Sequence, residues 1–448
     1  MRSHTVGRRL SGIALSLIAT APPLAAQLGD FNPRPEPHGV YAIRNARIVP
    51  VSGPVIERGN IVIGMDGRIQ AVGVAAEVPN GAKTIDGAGL TVFPGMMETA
   101  TTLGLNEISG GVVQMNDASE IGSFNPNVHA FFGLNSHSAH IGVTRVVGIT
   151  HVVSHPTGGI ISGQATLINL AGDTPSQMSI VRDIAMELTL PGGRGRGGRG
   201  GGRGGLGAPS SGPTGGMSPM DSLKAMLRDA LVYANAQDAY AKDRSLPRPS
   251  RDVVLEGLVP VVRGTLAVLM PADAANEIRD AVNFADQNHF KPIIVGGRQS
   301  LQVADLLKQH NVPVILTEVL SLPSGEDDPY DINYSLPSKL AAAGVKFAIS
   351  SGSGGAGVRD LPYVAGMAAA FGLSKDDALR SVTLWPAQIF GVSDRLGSIE
   401  VGKIANLVVT TGDLLEAKTD TRALFIDGQP VPLSSKHVYM WQLFRDRP

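Results

Sequence analysis

Four histidines fall within one short stretch of this chain, at His137, His140, His151 and His155. Imidazole is the commonest side-chain ligand for metals, and a hydrolytic zinc typically takes three protein ligands and leaves a fourth position open. His137 and His140 are three residues apart and share a face if the chain is helical there. His151 and His155 are four apart, on a strand and its following loop, and share a sheet face if the strand runs that far. One reading is a metal site at these four residues, holding zinc or a similar divalent ion. The other is a set of surface or partly buried histidines making ordinary hydrogen bonds, because no acidic residue accompanies the spacing to orient the rings.

The segment Pro156–Ala165 follows directly and is rich in glycine. Its backbone N–H groups could cradle an anion. No lysine or helix start follows at phosphate-loop spacing, which favours a tight strand-to-strand connection instead.

The elements that must position such groups fill a long chain. At 448 residues and 43% hydrophobic content it can build a large core. A net charge of −1 gives no electrostatic reason to expect nucleic acid or an anionic membrane surface. The absence of cysteine excludes disulfides and thiolate metal sites. At the N-terminus, Arg2, Arg8 and Arg9 precede the apolar run Leu10–Ala21, and Leu24-Ala25-Ala26 offers small residues for cleavage before Gln27. This is the layout of a signal peptide over residues 1–26, which implies a periplasmic or secreted protein. The apolar run is short for a bilayer span of about 20 residues.

Short strands are expected on both flanks. Ala42–Val49, Asn60–Gly64, Arg68–Gly73 and Lys83–Asp86 open the chain, with a hairpin turn at Met65–Arg68. Ala405–Thr410 and Ala423–Gly428 repeat the pattern near its end. Strands at both termini around a different middle predict one composite β-domain from residues 41–90 and 397–432. In the middle, Leu266–Met270, Pro292–Val295, Pro313–Leu316 and Val345–Ser350 read as strands. Helices over Ala274–Asn288, Gln299–Gln309 and Lys339–Ala343 alternate with them, which predicts a parallel sheet. Alternation alone fits an open doubly wound sheet as well as a barrel. Residues 191–216, rich in glycine and arginine, are expected to form a disordered surface insertion, because they cannot bury apolar surface. Ser218 and Pro219 then start a helix.

One stretch chooses between the two sheet types. Thr91-Val-Phe-Pro-Gly-Met-Met-Glu-Thr-Ala-Thr-Thr-Leu-Gly104 resembles the start of the catalytic barrel in the amidohydrolase superfamily, where a strand reading P-G-hydrophobic-hydrophobic-D-x-H-x-H-x-G ends in two metal-binding histidines. Pro94, Gly95, Met96, Met97 and Gly104 match, and Glu98 stands where aspartate is usual. Gly397–Val409 resembles that family's G-S-hydrophobic-x-x-G-x-x-A-D-L segment, with Asn406 for aspartate. Thr383-Leu-Trp-Pro-Ala387 resembles its T-x-N-P-A turn, with Trp385 for asparagine. The resemblance, closest to the imidazolonepropionase-like members, implies an α/β fold. It would be a (β/α)8 TIM-type barrel over residues 91–396 beside a composite β-sandwich domain from both termini. By the resemblance the activity is hydrolysis of non-peptide C–N bonds.

The metal ligands that the resemblance implies are replaced. Ala100 and Thr102 stand at the two histidine positions, Met270-Pro271 and Gly296-Gly297 at two later ones, and Gly352 near a late aspartate. Asp273, just beyond Pro271, reads as a helix cap. None of these is a strong ligand for a hydrolytic ion, so no cofactor is expected at the family's positions. Glu98 is left as the nearest general base, with a structural role as its other reading. The alternative function is a catalytically inactive family member acting as a binding or partner protein. The expected partner is a small molecule, not nucleic acid or a membrane.

Overall fold

The computed structural model describes residues 32–107, 116–192 and 217–447. The expected signal peptide, and the expected insertion apart from Pro191 and Gly192, lie outside the described residues. Five strands open the chain: β1 (Tyr41–Ile48), β2 (Ile56–Ile63), β3 (Ile69–Gly73), β4 (Lys83–Asp86) and β5 (Thr91–Pro94). Eight follow: β6 (Met96–Thr101), β7 (Ile149–Ser154), β8 (Ile161–Asn169), β9 (Ser179–Leu188), β10 (Ala267–Ala272), β11 (Lys291–Gly296), β12 (Val314–Leu316) and β13 (Phe347–Ile349). Three close it: β14 (Leu407–Thr410), β15 (Thr421–Ile426) and β16 (Gln429–Pro430).

The two termini form one sheet in the order β16-β15-β14-β5-β1-β2-β3, with β4 also on β1. Its strands bury Tyr41, Ile43, Ile48, Ile61, Ile63, Val92, Leu407, Val409 and Phe425 in a core of their own. Period-two burial of β-branched and aromatic side chains is what a pleated sheet with one covered face selects. Within β1 the register shifts between Ile43 and Ala46, where Asn45 takes φ +58°. Asparagine tolerates that left-handed conformation, and the bulge returns Ala46 to the core. One expected boundary moves: Thr91–Pro94 belongs to this sheet, paired with β1 and β14, so the barrel begins at Met96 and not at residue 91.

Strands β6 to β13 form a second eight-stranded sheet in sequence order, curled into a nearly closed barrel. All neighbours are parallel except around β8, which runs antiparallel to both β7 and β9. The glycine-rich segment after His155 is therefore the strand-to-strand connection from β7 to β8, and its second half, from Ile161, is strand. Helices cover the remaining crossovers, among them Pro219–Lys242, capped by Ser218 as expected. Ala275–Gln287, 304–309 and Ile332–Ala343 cover those from β10 onward. The last begins well before the expected Lys339. Pro337 lies inside it and removes one helical hydrogen bond, which burial of Leu336, Pro337 and Leu340 offsets.

The barrel interior holds Met97, Val153, Leu167, Ala185, Leu269, Ile293 and Ile315. Each of these side chains larger than alanine contributes about 1.5–3 kcal/mol when fully buried. No ladder joins β13 to β6, and a carboxylate takes its place. Fully buried Glu98 on β6 accepts the Ser350 hydroxyl and, at 2.8 Å, the Ser351 N–H just past β13. It also accepts the N–H groups of Thr99 and Ala100.

Candidate functional site at the barrel mouth

The C-terminal ends of the parallel strands converge on one cavity of about 650 Å³. Thr101 ends β6, His155 follows β7, Glu187 closes β9, Asp273 follows β10, Thr317 follows β12, and Gly352 follows β13. All six line it. Position at strand C-termini is where a parallel barrel exposes side chains on variable loops, and so where it recognises ligands. The volume is within the range of small-molecule sites.

His155 and Glu187 form a buried ionisable pair on the wall of this cavity. The His155 Nδ1 lies 3.3 Å from Glu187 Oε2 and 3.2 Å from the Pro156 carbonyl. Both residues are buried, His155 at 8% exposure and Glu187 at 5%. Burial alone pulls the imidazole down. The Glu187 carboxylate, with the Pro156 carbonyl and the more distant Glu98, outweighs it and holds His155 above its ordinary value. The pair is poised to donate and accept protons or hydrogen bonds at the cavity wall.

Asp273 does not cap the helix as expected. The helix spans Ala275–Gln287, its N-cap is Ala274, and the Glu277 carboxylate reaches back to the Asp273 and Ala274 N–H groups at 3.1 Å. The Asp273 carboxylate turns instead toward the Arg298 N–H at 3.4 Å.

The donor set does not fit the metal that the fold implies. Among the described residues no three His, Asp or Glu side chains converge as a metal would need. The replaced positions also lack room for ligands. A Cβ on Gly352, which has φ +66°, would lie 2.0 Å from the Thr317 carbonyl oxygen. A Cβ on Gly296 would lie 2.5 Å from Asp273 Oδ1, so the Asp273 carboxylate fills the space a side chain there would enter. Thr102 packs against Gly354, and the Thr101 hydroxyl donates to the Ser353 carbonyl at 2.9 Å. The β6 end is thus tied to the loop after β13.

The four histidines do not assemble. His151 lies within β7 and His155 just past its end, and four residues of extended chain separate them by about 13 Å. His151 lies fully buried in β7, where its Nδ1 meets the Thr150 hydroxyl at 2.7 Å and Asn406 Nδ2 at 3.4 Å. Burial lowers its pKa to about 3, so it is neutral. Asn406 also donates to Asn169 at 2.8 Å and accepts the Asp427 N–H, which joins the barrel to the β-domain. His137 is exposed, on the loop before the helix Ala139–Arg145. His140, in that helix, packs against Gly355. Only His155 of the four lines the cavity.

Glu98 is not available as a base. It is enclosed by four donors, and burial, the largest effect, raises its pKa despite them. Glu187 escapes the sequence reading, which finds no strand at β9. Its signal is a lone acid among buried apolar residues, between Met186 and Leu188.

Residues 302–431 match the model of the amidohydrolase family. The fold is similar to a crystal structure of an amidohydrolase from Thermotoga maritima MSB8, with a TM-score of 0.76 and 22% identity over 87% of this chain and 99% of that one. It is also similar to an adenosine deaminase from Xanthomonas campestris with bound zinc, with a TM-score of 0.51 and 19% identity over 92% and 99%. A Xaa-Pro dipeptidase with bound methionine in the active site gives 0.53 and 17% over 88% and 99%. At these identities the likeness is one of fold.

Proposed function

We propose that this chain, which belongs to the amidohydrolase superfamily, binds a small molecule at its barrel mouth and holds it by hydrogen bonds and charge, without a hydrolytic metal. The observation that carries this reading is the exchange of donors at the mouth. Glycines with no space for a side chain stand at ligand positions, while the cavity keeps a buried His155–Glu187 pair at its wall. Such a site retains recognition and lacks the ion that would lower the pKa of water.

The same pair supports a second reading. An imidazole held above its ordinary pKa beside a carboxylate in an open cavity is an acid–base arrangement, and in that case the reaction is hydrolysis of a non-peptide C–N bond with His155 moving the proton. The deciding experiment combines metal analysis of tag-free protein with a turnover assay on cyclic and linear amides and amidines. Saturable binding without turnover supports the binding role. Turnover that survives chelation and disappears in His155→Gln supports the second reading. Turnover that chelation abolishes overturns both.

We also propose export to the periplasm or outside the cell, on the charged-then-apolar N-terminus. Mass spectrometry of the exported chain is expected to begin at Gln27, and an intact Met1–Ala26 segment would refute it.

A further inference from the structure

We propose that the opposite end of the barrel holds a second ligand site, which takes an aromatic body bearing a carboxylate. This goes beyond the reading of the mouth and does not depend on it.

Ala267 opens β10, Lys291 opens β11, and Pro313 and Lys346 immediately precede β12 and β13. All four line a cavity of about 800 Å³ at the N-terminal ends of these strands. Strand alternation fixes the side from which the two lysines start. Ile293 and Ile315 face the barrel interior. Lys291 lies two residues before Ile293, and Lys346 lies two before Ala348, which pairs with Ile315. The Val314 N–H bonds the Lys346 carbonyl at 3.0 Å, which keeps Lys346 in the ladder. Both lysines therefore leave the sheet on its interior side, where the barrel opens.

Positive charge is in excess here. Lys291 and Lys346 are exposed, and among the described residues their ammonium groups form no ion pair. A third ammonium, that of Lys308, lies 3.4 Å from where a Cβ on Gly344 would sit, and Gly344 lines the same cavity. The acid on this wall, Asp377, already accepts Arg380 at 3.1 Å. His310, also on the wall, faces Asp286 at 3.6 Å.

The rest of the wall is apolar and accessible. Trp385 and Ile389, from the short helix Leu384–Ile389, are partly exposed and line the cavity with Ile293. Trp385 is the residue that departs from the T-x-N-P-A turn, and its ring stands edge-on to Phe347 with centroids 5.1 Å apart. Among the described residues its indole N–H has no acceptor. A carboxylate on an aromatic body matches this set. The anion accepts from the ammoniums, and the body displaces water from the indole and the aliphatic wall. An amine would meet like charge, and a neutral amide would leave the ammoniums unpaired.

The test follows Trp385 itself. The chain has two tryptophans, and Trp441 is 62% exposed, so Trp441→Phe leaves Trp385 as the reporter. The full chain carrying this change is titrated with phenylacetate, phenylacetamide and phenethylamine by fluorescence and calorimetry. Phenylacetate is expected to bind about threefold or more tighter than phenylacetamide, the scale of contacts with exposed ammoniums, and to shift the Trp385 emission. Added salt should shrink that margin, and Lys291→Gln combined with Lys346→Gln should remove it. Both lysines are exposed, so this variant keeps the fold. A smaller margin overturns the proposal, as does one that survives in the lysine variant or resists salt. Phenethylamine binding as tight as phenylacetate overturns it too. So does phenylacetate binding that leaves the Trp385 emission unmoved, or no binding of phenylacetate at millimolar concentration.

Discussion

Glu98 and Ser351 meet across the one seam of the barrel that no strand ladder closes, the Ser351 N–H donating to Glu98 Oε2 at 2.8 Å. The family frame places an acidic residue here at the head of a metal-binding strand, and in this chain it serves as a rivet between the first and last strands. Four donors surround it, so every group it meets needs an acceptor.

Replacing that carboxylate tests the rivet. In Glu98→Gln one oxygen becomes an NH2 that cannot accept, which leaves at least one buried donor unmatched and costs about 1–3 kcal/mol. Glu98→Ala leaves all four donors without their partner and should cost more. Urea unfolding followed by circular dichroism measures both. A Glu98→Ala protein as stable as the parent would show that the seam does not depend on the carboxylate.

Gly352 offers a test of the remodelled mouth. Gly352→Asp places the family's acid back in sequence, but its φ of +66° and the Thr317 carbonyl oxygen 2.0 Å from any Cβ oppose it. Backbone strain alone costs about 1–3 kcal/mol, and the clash adds to it. The variant is expected to melt lower than the parent and to gain no zinc affinity. Unchanged stability would mean that the loop after β13 re-forms freely.

Metal content follows from the same geometry. Protein purified without chelator and without a histidine tag is expected to carry well under one equivalent of any transition ion. Added zinc should leave its melting temperature unchanged, because an ion that binds only the folded state would raise it. One equivalent of tightly held zinc would contradict this, and its loss on His155→Ala would place it at the mouth.

His151 is expected to contribute to the response to acid. Its folded pKa is about 3 against 6.5 in the unfolded chain. Between those values the unfolded state binds more protons, so this residue's contribution rises with pH and is lost as pH falls below 6.5. The slope approaches about 1.4 kcal/mol per pH unit. His155, held above its ordinary value, acts in the opposite sense, adding stability below pH 6.5 that is lost as pH rises through its folded pKa. Chemical denaturation at several pH values is expected to show a shallower acid slope in His151→Gln than in the parent. Equal slopes would assign the acid response to other groups.

What could be read in the sequence follows the range of the forces involved. The strands of the β-domain and those from β10 onward announce themselves through alternation and turn residues, which are local. The motif around Pro94–Gly104 places the barrel, and the missing histidines at Ala100 and Thr102 are visible at once. Glu187 and His155 cannot be paired from sequence, because their approach depends on β8 turning back between β7 and β9. The role of Glu98 is hidden for a similar reason, since Ser350 and Ser351 lie 252 and 253 residues away along the chain. Asp273 misleads because a cap is usually recognised by residue type, and here Glu277 fills that role from inside the helix.

Strand β5 lies between β1 and β14, and the Thr410 hydroxyl reaches the Thr91 carbonyl across 319 residues of chain. Closing a loop of that length costs about 5 kcal/mol in its length-dependent entropy alone. The β-domain is therefore a late structure in the life of the molecule. As the chain emerges from synthesis, β1 to β5 have no β14 to complete them, and the barrel must organise first or leave the edge of β5 bare. Contacts of such high sequence separation fold slowly, and an unpaired strand edge invites association with other chains meanwhile. A chain stopped short of Leu407 would carry that exposed edge permanently.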